Sequence, residues 1–173
     1  EFRRVLFRSR LTLILVSVLI LSYTATTMRE RSRIKELVAQ LVIAKPIELT
    51  NILQELRAHP DLSAEYLLPL LQVQATTPKD KEAQLHARLA MVSRDPALVV
   101  DPLIKELLDG KPEYVTLIRE QLRLSQPSVA PLLRSYLRDE QAETQHRFRA
   151  ALALVGLTDE SERDSWTDDD LRF

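Results

Sequence analysis

The sequence contains no cysteine, only two glycines and only nine aromatic residues among its 173 positions. Without cysteine the chain can form neither disulfides nor thiolate metal sites, although its compartment stays open. Sheets need turn glycines and runs of β-branched or aromatic residues, whereas the apolar residues here are mostly Leu, Ala, Val and Ile. The composition therefore predicts an all-α protein with short connections between its helices.

The chain also lacks an excess of charge of either sign. Its 24 basic and 25 acidic residues are interspersed and give a net charge of −1, so we expect no nucleic acid partner. The two glycines, Gly110 and Gly156, stand alone and cannot form a phosphate-binding loop. Nucleophile-elbow and kinase signatures are missing from the sequence. We therefore predict no catalytic residues, no cofactor and no metal site in this chain.

The first nine residues differ in character from those that follow. Residues 1–9 match the translation of a common sequencing-library adapter, and we interpret them as an assembly artefact outside the fold. The alternative is a basic cytoplasmic flank of a membrane helix.

Residues 10–28 contain the one long uncharged run of the sequence. From residue 11 to residue 27 it comprises about 17 residues, at the lower limit of what spans a bilayer. We predict a single transmembrane helix over residues 10–28 that contacts lipid through residues 11–27. A signal-peptide core and a buried core helix are the alternatives. The charges flanking the run do not assign its orientation.

A repeated stretch organises the rest of the chain. Residues 44–56 and 110–122 both begin with a small residue and Lys-Pro and run about three helical turns to a Leu, 66 residues apart. Residues 85–92 match residues 148–155 at an offset of 63. A period of this size predicts two four-helix repeats, because helical hairpins must stack to bury their apolar faces.

We therefore predict a HEAT/TPR-like, right-handed α-α superhelix of about eight helices over residues 29–157. Its two repeats are residues 29–95 and 96–157. Seven of the expected helices cover residues 27–44, 46–57, 81–92, 96–109, 112–124, 127–138 and 143–157. The remaining one, third in the chain, is expected either with Ser63 as its cap or with a start near Tyr66. Asp95 is the expected cap of the fifth helix, and the two Lys-Pro pairs are expected to be corners between helices.

Residues 158–173 are polar and acidic. We interpret them as an acidic linker and the start of a truncated next helix near Leu171, because a solenoid normally ends in a polar capping repeat. Asp168, Asp169 and Asp170 could bind a divalent cation, but such a run also suits a helix N-terminus. We expect Trp166 to pack against the last complete hairpin rather than to anchor a partner.

The remaining candidates for chemistry have structural interpretations. His59, His86 and His146 lack the spacing of metal ligands, so we expect them to be packed or solvent-facing. Six arginines in the second repeat are interleaved with acidic residues, which indicates a solvated helix surface. They are Arg119, Arg123, Arg134, Arg138, Arg147 and Arg149.

Several motifs together resemble a known arrangement. They are the uncharged run, the Asp95-Pro96-Ala97 turn, the stretch from Ala130 to Leu137, and the stretch from Arg147 to Leu154 before an acidic segment. Residues 10–173 resemble the region after the transmembrane helix in planctomycete-type bacterial serine/threonine protein kinases. The resemblance implies a cytoplasmic kinase domain before the helix and an extracytoplasmic helical array after it. It carries over no functional residue, because no position here matches the kinase motifs.

From these observations we expect a non-catalytic, membrane-anchored scaffold or sensor segment that binds an unidentified protein partner. One alternative is an independent membrane-anchored interaction scaffold unrelated to kinases. The other, from a different functional class, is a metal-dependent enzyme that uses the acidic tail.

Overall fold

The computed structural model describes residues 24–139 and 141–157, and every regular element in these ranges is helical. The helices are α1 (24–43), α2 (Pro46–Arg57), α3 (Pro60–Gln72), α4 (Pro78–Met91), α5 (Pro96–Asp109), α6 (Pro112–Leu122), α7 (Gln126–Arg138) and α8 (Thr144–Leu157). A short 3-10 turn, Arg123–Ser125, joins α6 to α7. The all-α class is thus confirmed for the described residues, which form eight α-helices and no strand.

Proline marks the beginning of most of these helices. It occupies the first helical position of α2 to α6, where its missing N–H would have no helical partner and its fixed φ suits the helix. The predicted bounds of α2 and α5 are confirmed, and Asp95 caps α5 by accepting from the Leu98 N–H at 3.3 Å. Both Lys-Pro pairs lie between helices, so the predicted corners are confirmed.

The sequence placed the start of α4 too late. A loop was expected up to Asp80, but the helix begins at Pro78 because Thr77 and Asp80 form a reciprocal capping box. The Thr77 hydroxyl accepts from the Asp80 N–H at 3.1 Å, and the Thr77 N–H donates to the Asp80 carboxylate at 2.9 Å. The hydrogen bond from the Thr77 N–H, with further bonds from Thr77 and Thr76, holds the pKa of the Asp80 carboxyl below its ordinary value.

The role expected for Ser63 is also wrong. Helix α3 begins at Pro60, so Ser63 lies inside its first turn. The buried Ser63 hydroxyl donates to the Leu56 carbonyl at 2.9 Å and so satisfies an end of α2 instead of the start of α3. Pro69 is accommodated within α3, where it faces solvent.

The helices pack around a continuous apolar core that runs through both predicted repeats. In the first, α2 and α3 both contact α4; in the second, α6 and α7 both contact α8. Helices α4 and α5 and helices α2 and α6 join the two repeats. The matching contacts agree with a helical-repeat architecture.

Two predicted segments lie largely or wholly outside the described residues. The predicted membrane helix, residues 10–28, overlaps them only at residues 24–28, and the acidic segment 158–173 is not among them. None of the helices in the described part of the chain is long and apolar enough to cross a bilayer. The membrane segment therefore stays a prediction.

Candidate functional site

A chain of polar groups, buried except at its Glu82 end, joins the two repeats. His86, on α4, has no exposed surface, and its Nδ1 lies 2.8 Å from the Leu41 carbonyl of α1. Its Nε2 lies 3.0 Å from the hydroxyl of Tyr114, on α6, and that hydroxyl donates to Glu82 Oε1 at 2.5 Å. Lys111 Nζ approaches the same carboxylate at 3.9 Å. This polar chain, Leu41 to Glu82 through His86 and Tyr114, links three helices.

The environment sets the protonation of this polar chain. Burial lowers the pKa of His86, although the Leu41 carbonyl and the charge of Glu82 oppose that effect. The hydrogen bond from Tyr114 lowers the pKa of Glu82, and Lys111 adds to this effect. Burial, followed by the neighbouring Glu82, raises the pKa of Tyr114. His86 is therefore neutral, Glu82 ionised and Tyr114 protonated at neutral pH.

This protonation state leaves the polar chain one proton short. The contacts Leu41–His86, His86–Tyr114 and Tyr114–Glu82 each need one proton to be a hydrogen bond. A neutral His86 and a neutral Tyr114 supply only two. Because a carbonyl only accepts, the His86 proton lies on Nδ1 toward Leu41. The Tyr114 proton goes to Glu82, since the acceptor there is charged and the contact is the shorter one. His86 Nε2 thus faces the Tyr114 oxygen without a proton between them.

A cleft of about 600 Å³ opens beside Glu82 at the corner between α1 and α2. It is lined by Val42, Ile43, Ala44, Lys45, Pro46, Lys79, Asp80, Glu82, Ala83 and Glu113. Ile43 and Ile47 at this corner are 84% and 86% exposed, which is unusual for large aliphatic side chains. The first Lys-Pro corner therefore borders a concave surface of mixed charge with an apolar edge.

At the equivalent corner of the second repeat, a histidine and an aspartate are in contact. The internal offsets of 66 and 63 place Asp109 and His146 where the first repeat has Ile43 and Ala83. His146 Nε2 lies 2.6 Å from Asp109 Oδ1, and this contact bridges α8 to the end of α5. The two repeats thus differ at this corner, where exposed Ile43 borders the cleft in the first and Asp109 contacts His146 in the second.

Arg149 occupies in the second repeat the position that His86 has in the first. Its guanidinium donates to the carbonyls of Leu108 at 2.9 Å, Gly110 at 2.8 Å and Leu107 at 3.4 Å. Leu107 is the counterpart of Leu41 at the offset of 66. In both repeats, a polar side chain of the fourth helix therefore satisfies carbonyls at the end of the first helix.

These contacts correct the interpretation of the arginines as a solvated surface. Arg149 is half-buried, and Arg147 Nε donates to the Leu137 carbonyl at 3.2 Å. Arg119 lies against Gly156, where a methyl group would meet its side chain at 2.7 Å. Arg123 does face solvent.

The three histidines are dispersed, as their spacing indicated. His59 is exposed at the start of α3, while His86 and His146 make the separate contacts described above. Within residues 24–139 and 141–157, His, Asp and Glu side chains form no group of three that could hold a metal ion. The aspartates at 168–170 lie outside these ranges.

One feature of the sequence could have indicated the polar chain. His86 and Arg149 fall at the same place in the two matching stretches, where most neighbouring positions are apolar or small. The partner Tyr114 lies 28 residues from His86, so only the fold reveals that contact.

No protein-family model, curated protein or solved structure matches the chain.

Proposed function

We propose that this chain is a non-catalytic helical-repeat scaffold or interaction segment, anchored in a membrane by residues 10–28. The observation that carries the proposal is the set of contacts made by three titratable groups, of which His86 and Tyr114 are buried and Glu82 is partly exposed. His86, Tyr114 and Glu82 resemble a proton relay in composition, yet one end of the polar chain is the Leu41 carbonyl, a helix end. The polar chain thus connects a helix end to a side chain of the neighbouring repeat, which favours a structural role.

The exposed corner supports a protein partner. Stacking consumes most large apolar side chains of the array, but Ile43 and Ile47 stay exposed beside the cleft. Exposed aliphatic groups next to a concave polar surface are typical of interaction sites. The chemistry of the partner is open.

A biochemical comparison tests the non-catalytic role. The purified chain and its Tyr114→Phe variant are assayed with carboxylic esters, phosphate esters and peptides, with Mg²⁺, Mn²⁺ or Zn²⁺ added. We expect no turnover in either protein above a buffer blank. Turnover that disappears in Tyr114→Phe would assign catalysis to the polar chain. Metal-dependent turnover that instead disappears when Asp168, Asp169 and Asp170 are changed to Asn would support the acidic-tail enzyme.

We further propose that the chain is part of a larger bacterial transmembrane serine/threonine kinase, with the array outside the cytoplasm. This step is supported by the resemblance of residues 10–173 alone. The uninterrupted upstream reading frame tests it: a His-Arg-Asp catalytic loop and an Asp-Phe-Gly motif are expected there. An upstream frame without them would favour the independent scaffold.

Membrane anchoring has its own test. Expressed in bacteria, the full chain should stay with membranes after alkaline carbonate extraction, whereas a chain that begins at Thr24 should be released. Release of both would remove the anchor from the proposal.

A further inference from the structure

The last helix exposes the face that its counterpart buries. At the offset of 63, Phe148 and Leu152 of α8 correspond to Leu85 and Leu89 of α4. Leu85 and Leu89 are 3% and 1% exposed, whereas Phe148 and Leu152 are 56% and 47% exposed. Phe148 and Leu152 are four residues apart and so lie on one face of the helix. We call this pair the terminal stripe.

The first repeat shows what normally covers this face. Helix α4 ends at Met91, the chain turns through residues 92–95, and α5 then packs back against α4. Leu85 lines a crevice together with Glu106 of α5 and Tyr114 of α6, so the elements that follow the fourth helix lie next to this buried face. An equivalent turn after Leu157 would bring the following residues to the terminal stripe.

The chain that leaves α8 has the side chains needed to cover the stripe. Residues 158–173 contain Trp166, the only tryptophan of the protein, together with Leu171 and Phe173. Phe148 lies about 14 Å from Leu157 along α8, at about 1.5 Å per residue. Trp166 is nine residues beyond Leu157 and can reach up to about 30 Å when the chain is extended.

Charge also favours this occupant. Residues 158–173 carry two basic residues and seven acidic ones, namely Asp159, Glu160, Glu162, Asp164, Asp168, Asp169 and Asp170. Arg119 lies against Gly156 in the last turn of α8, and Arg123 faces solvent at the end of α6. An acidic segment folded back over α8 meets these cations near the stripe.

We propose that residues 158–173 dock on the terminal stripe, with Trp166 against Phe148 and Leu152. This docking closes the second repeat as α5 closes the first. It does not depend on the proposed membrane or kinase context.

Fluorescence of Trp166 in the full chain, in detergent micelles, tests the docking. In the wild type we expect emission at a shorter wavelength than that of free N-acetyltryptophanamide, with protection from acrylamide quenching. Leu152→Lys should shift the emission to longer wavelength and remove the protection. Leu68→Lys, an exposed leucine on α3, is the matched control and should change neither. Circular dichroism verifies that each variant keeps its helix content.

A cross-linking measurement covers the case in which Leu152→Lys fails to fold. The protein has no cysteine, so Gln145→Cys with Ser165→Cys gives a clean pair that leaves both the stripe and Trp166 intact. Oxidation should form an intramolecular disulfide, while Lys79→Cys with Ser165→Cys, with one cysteine on α4, should not.

Other occupants give different outcomes. A second copy of the chain could cover the stripe instead. The protection of Trp166 from quenching would then rise with protein concentration, and the cysteine pair would form intermolecular disulfides only, which would overturn the proposal. Trp166 emission that is solvent-like in the wild type, or unchanged in a folded Leu152→Lys variant, would also overturn it.

Discussion

The two four-helix repeats solve the same packing problem with different side chains. In the first, neutral His86 satisfies one carbonyl of the first helix and turns its other nitrogen toward Tyr114 of the next repeat. In the second, cationic Arg149 satisfies three carbonyls at the equivalent place. The position between the first and fourth helices thus demands a hydrogen-bond donor, and the identity of that donor depends on what lies beyond it.

The repeats also differ in how their fourth helix is covered. Helix α5 packs on α4, whereas the matching face of α8 ends in exposed Phe148 and Leu152. The same sequence pattern is therefore core in one repeat and surface in the other, because burial depends on the neighbour and not on the residue.

The largest expected effect comes from comparing matched leucines. Leu89→Ala should lower the free energy of unfolding by about 3 kcal/mol, since it leaves a cavity in a packed core. Leu152→Ala at the equivalent position should lower it by about 1 kcal/mol, because the helices leave its side chain half exposed and we expect residues 158–173 to cover it less tightly than the core covers Leu89. Urea denaturation of both variants in the same detergent measures the difference. Equal losses would mean that the two faces are equally buried.

The carbonyl contacts of Arg149 should have an intermediate effect. Arg149→Met keeps much of the aliphatic stem but removes the donor from the end of α5. We expect a loss of about 1–2 kcal/mol in the free energy of unfolding, as for hydrogen bonds that involve a charged group. Arg123→Met removes the same charge from an exposed site and should change stability by less than about 0.5 kcal/mol. The equivalence of Arg149 with His86 would be in doubt if the two variants behaved alike.

The pH dependence of the free energy of unfolding should also distinguish the two repeats, because His86 and Glu82 belong to the first. Because burial lowers the pKa of His86 below its ordinary value of 6.5, the unfolded chain binds that proton more readily than the folded one. The free energy of unfolding should therefore decrease as the pH falls through 6.5. A second decrease in the free energy of unfolding should follow below pH 4.5. The pKa of Glu82 is lowered in the fold, so the unfolded chain takes up this proton more readily than the folded one. The charged and titratable groups facing His86 are Glu82, Tyr114 and Lys111.

Urea denaturation at several pH values, with two histidine variants, measures this effect. His86→Gln should remove the decrease near pH 6.5, while His59→Gln, at an exposed site, should retain it. A decrease that survives in His86→Gln would assign the titration to another group.

Most of the helical skeleton was predictable from the sequence because the signals are local. Pro46 and Pro96 fix the starts of their helices by removing a donor and setting φ, and Asp95 adds a cap. The start of α4 was missed because Thr77 and Asp80 looked like loop residues, although together with Pro78 they form a capping box. Ser63 was misassigned because its acceptor belongs to the preceding helix.

The candidate site was far less predictable than the skeleton. The contact of His86 with Leu41 spans 45 residues, and the contact of Arg149 with Leu108 spans 41. Such contacts depend on how helices stack, and composition or periodicity does not encode the stacking. The membrane segment and the acidic segment stay predictions.

The structural role of the polar chain is tested most directly by Glu82→Gln and Tyr114→Phe. The Gln amide can donate to the Tyr114 oxygen, which frees the Tyr114 proton for His86 and supplies the missing third proton. We expect Glu82→Gln to leave the free energy of unfolding at pH 7 unchanged or to raise it by up to about 1 kcal/mol. Tyr114→Phe, which removes the hydroxyl and its hydrogen bond to the Glu82 carboxylate, should lower it by about 1–3 kcal/mol. No loss in Tyr114→Phe would contradict the structural role of the polar chain, and a loss in Glu82→Gln as large as that in Tyr114→Phe would contradict its count of two protons for three contacts.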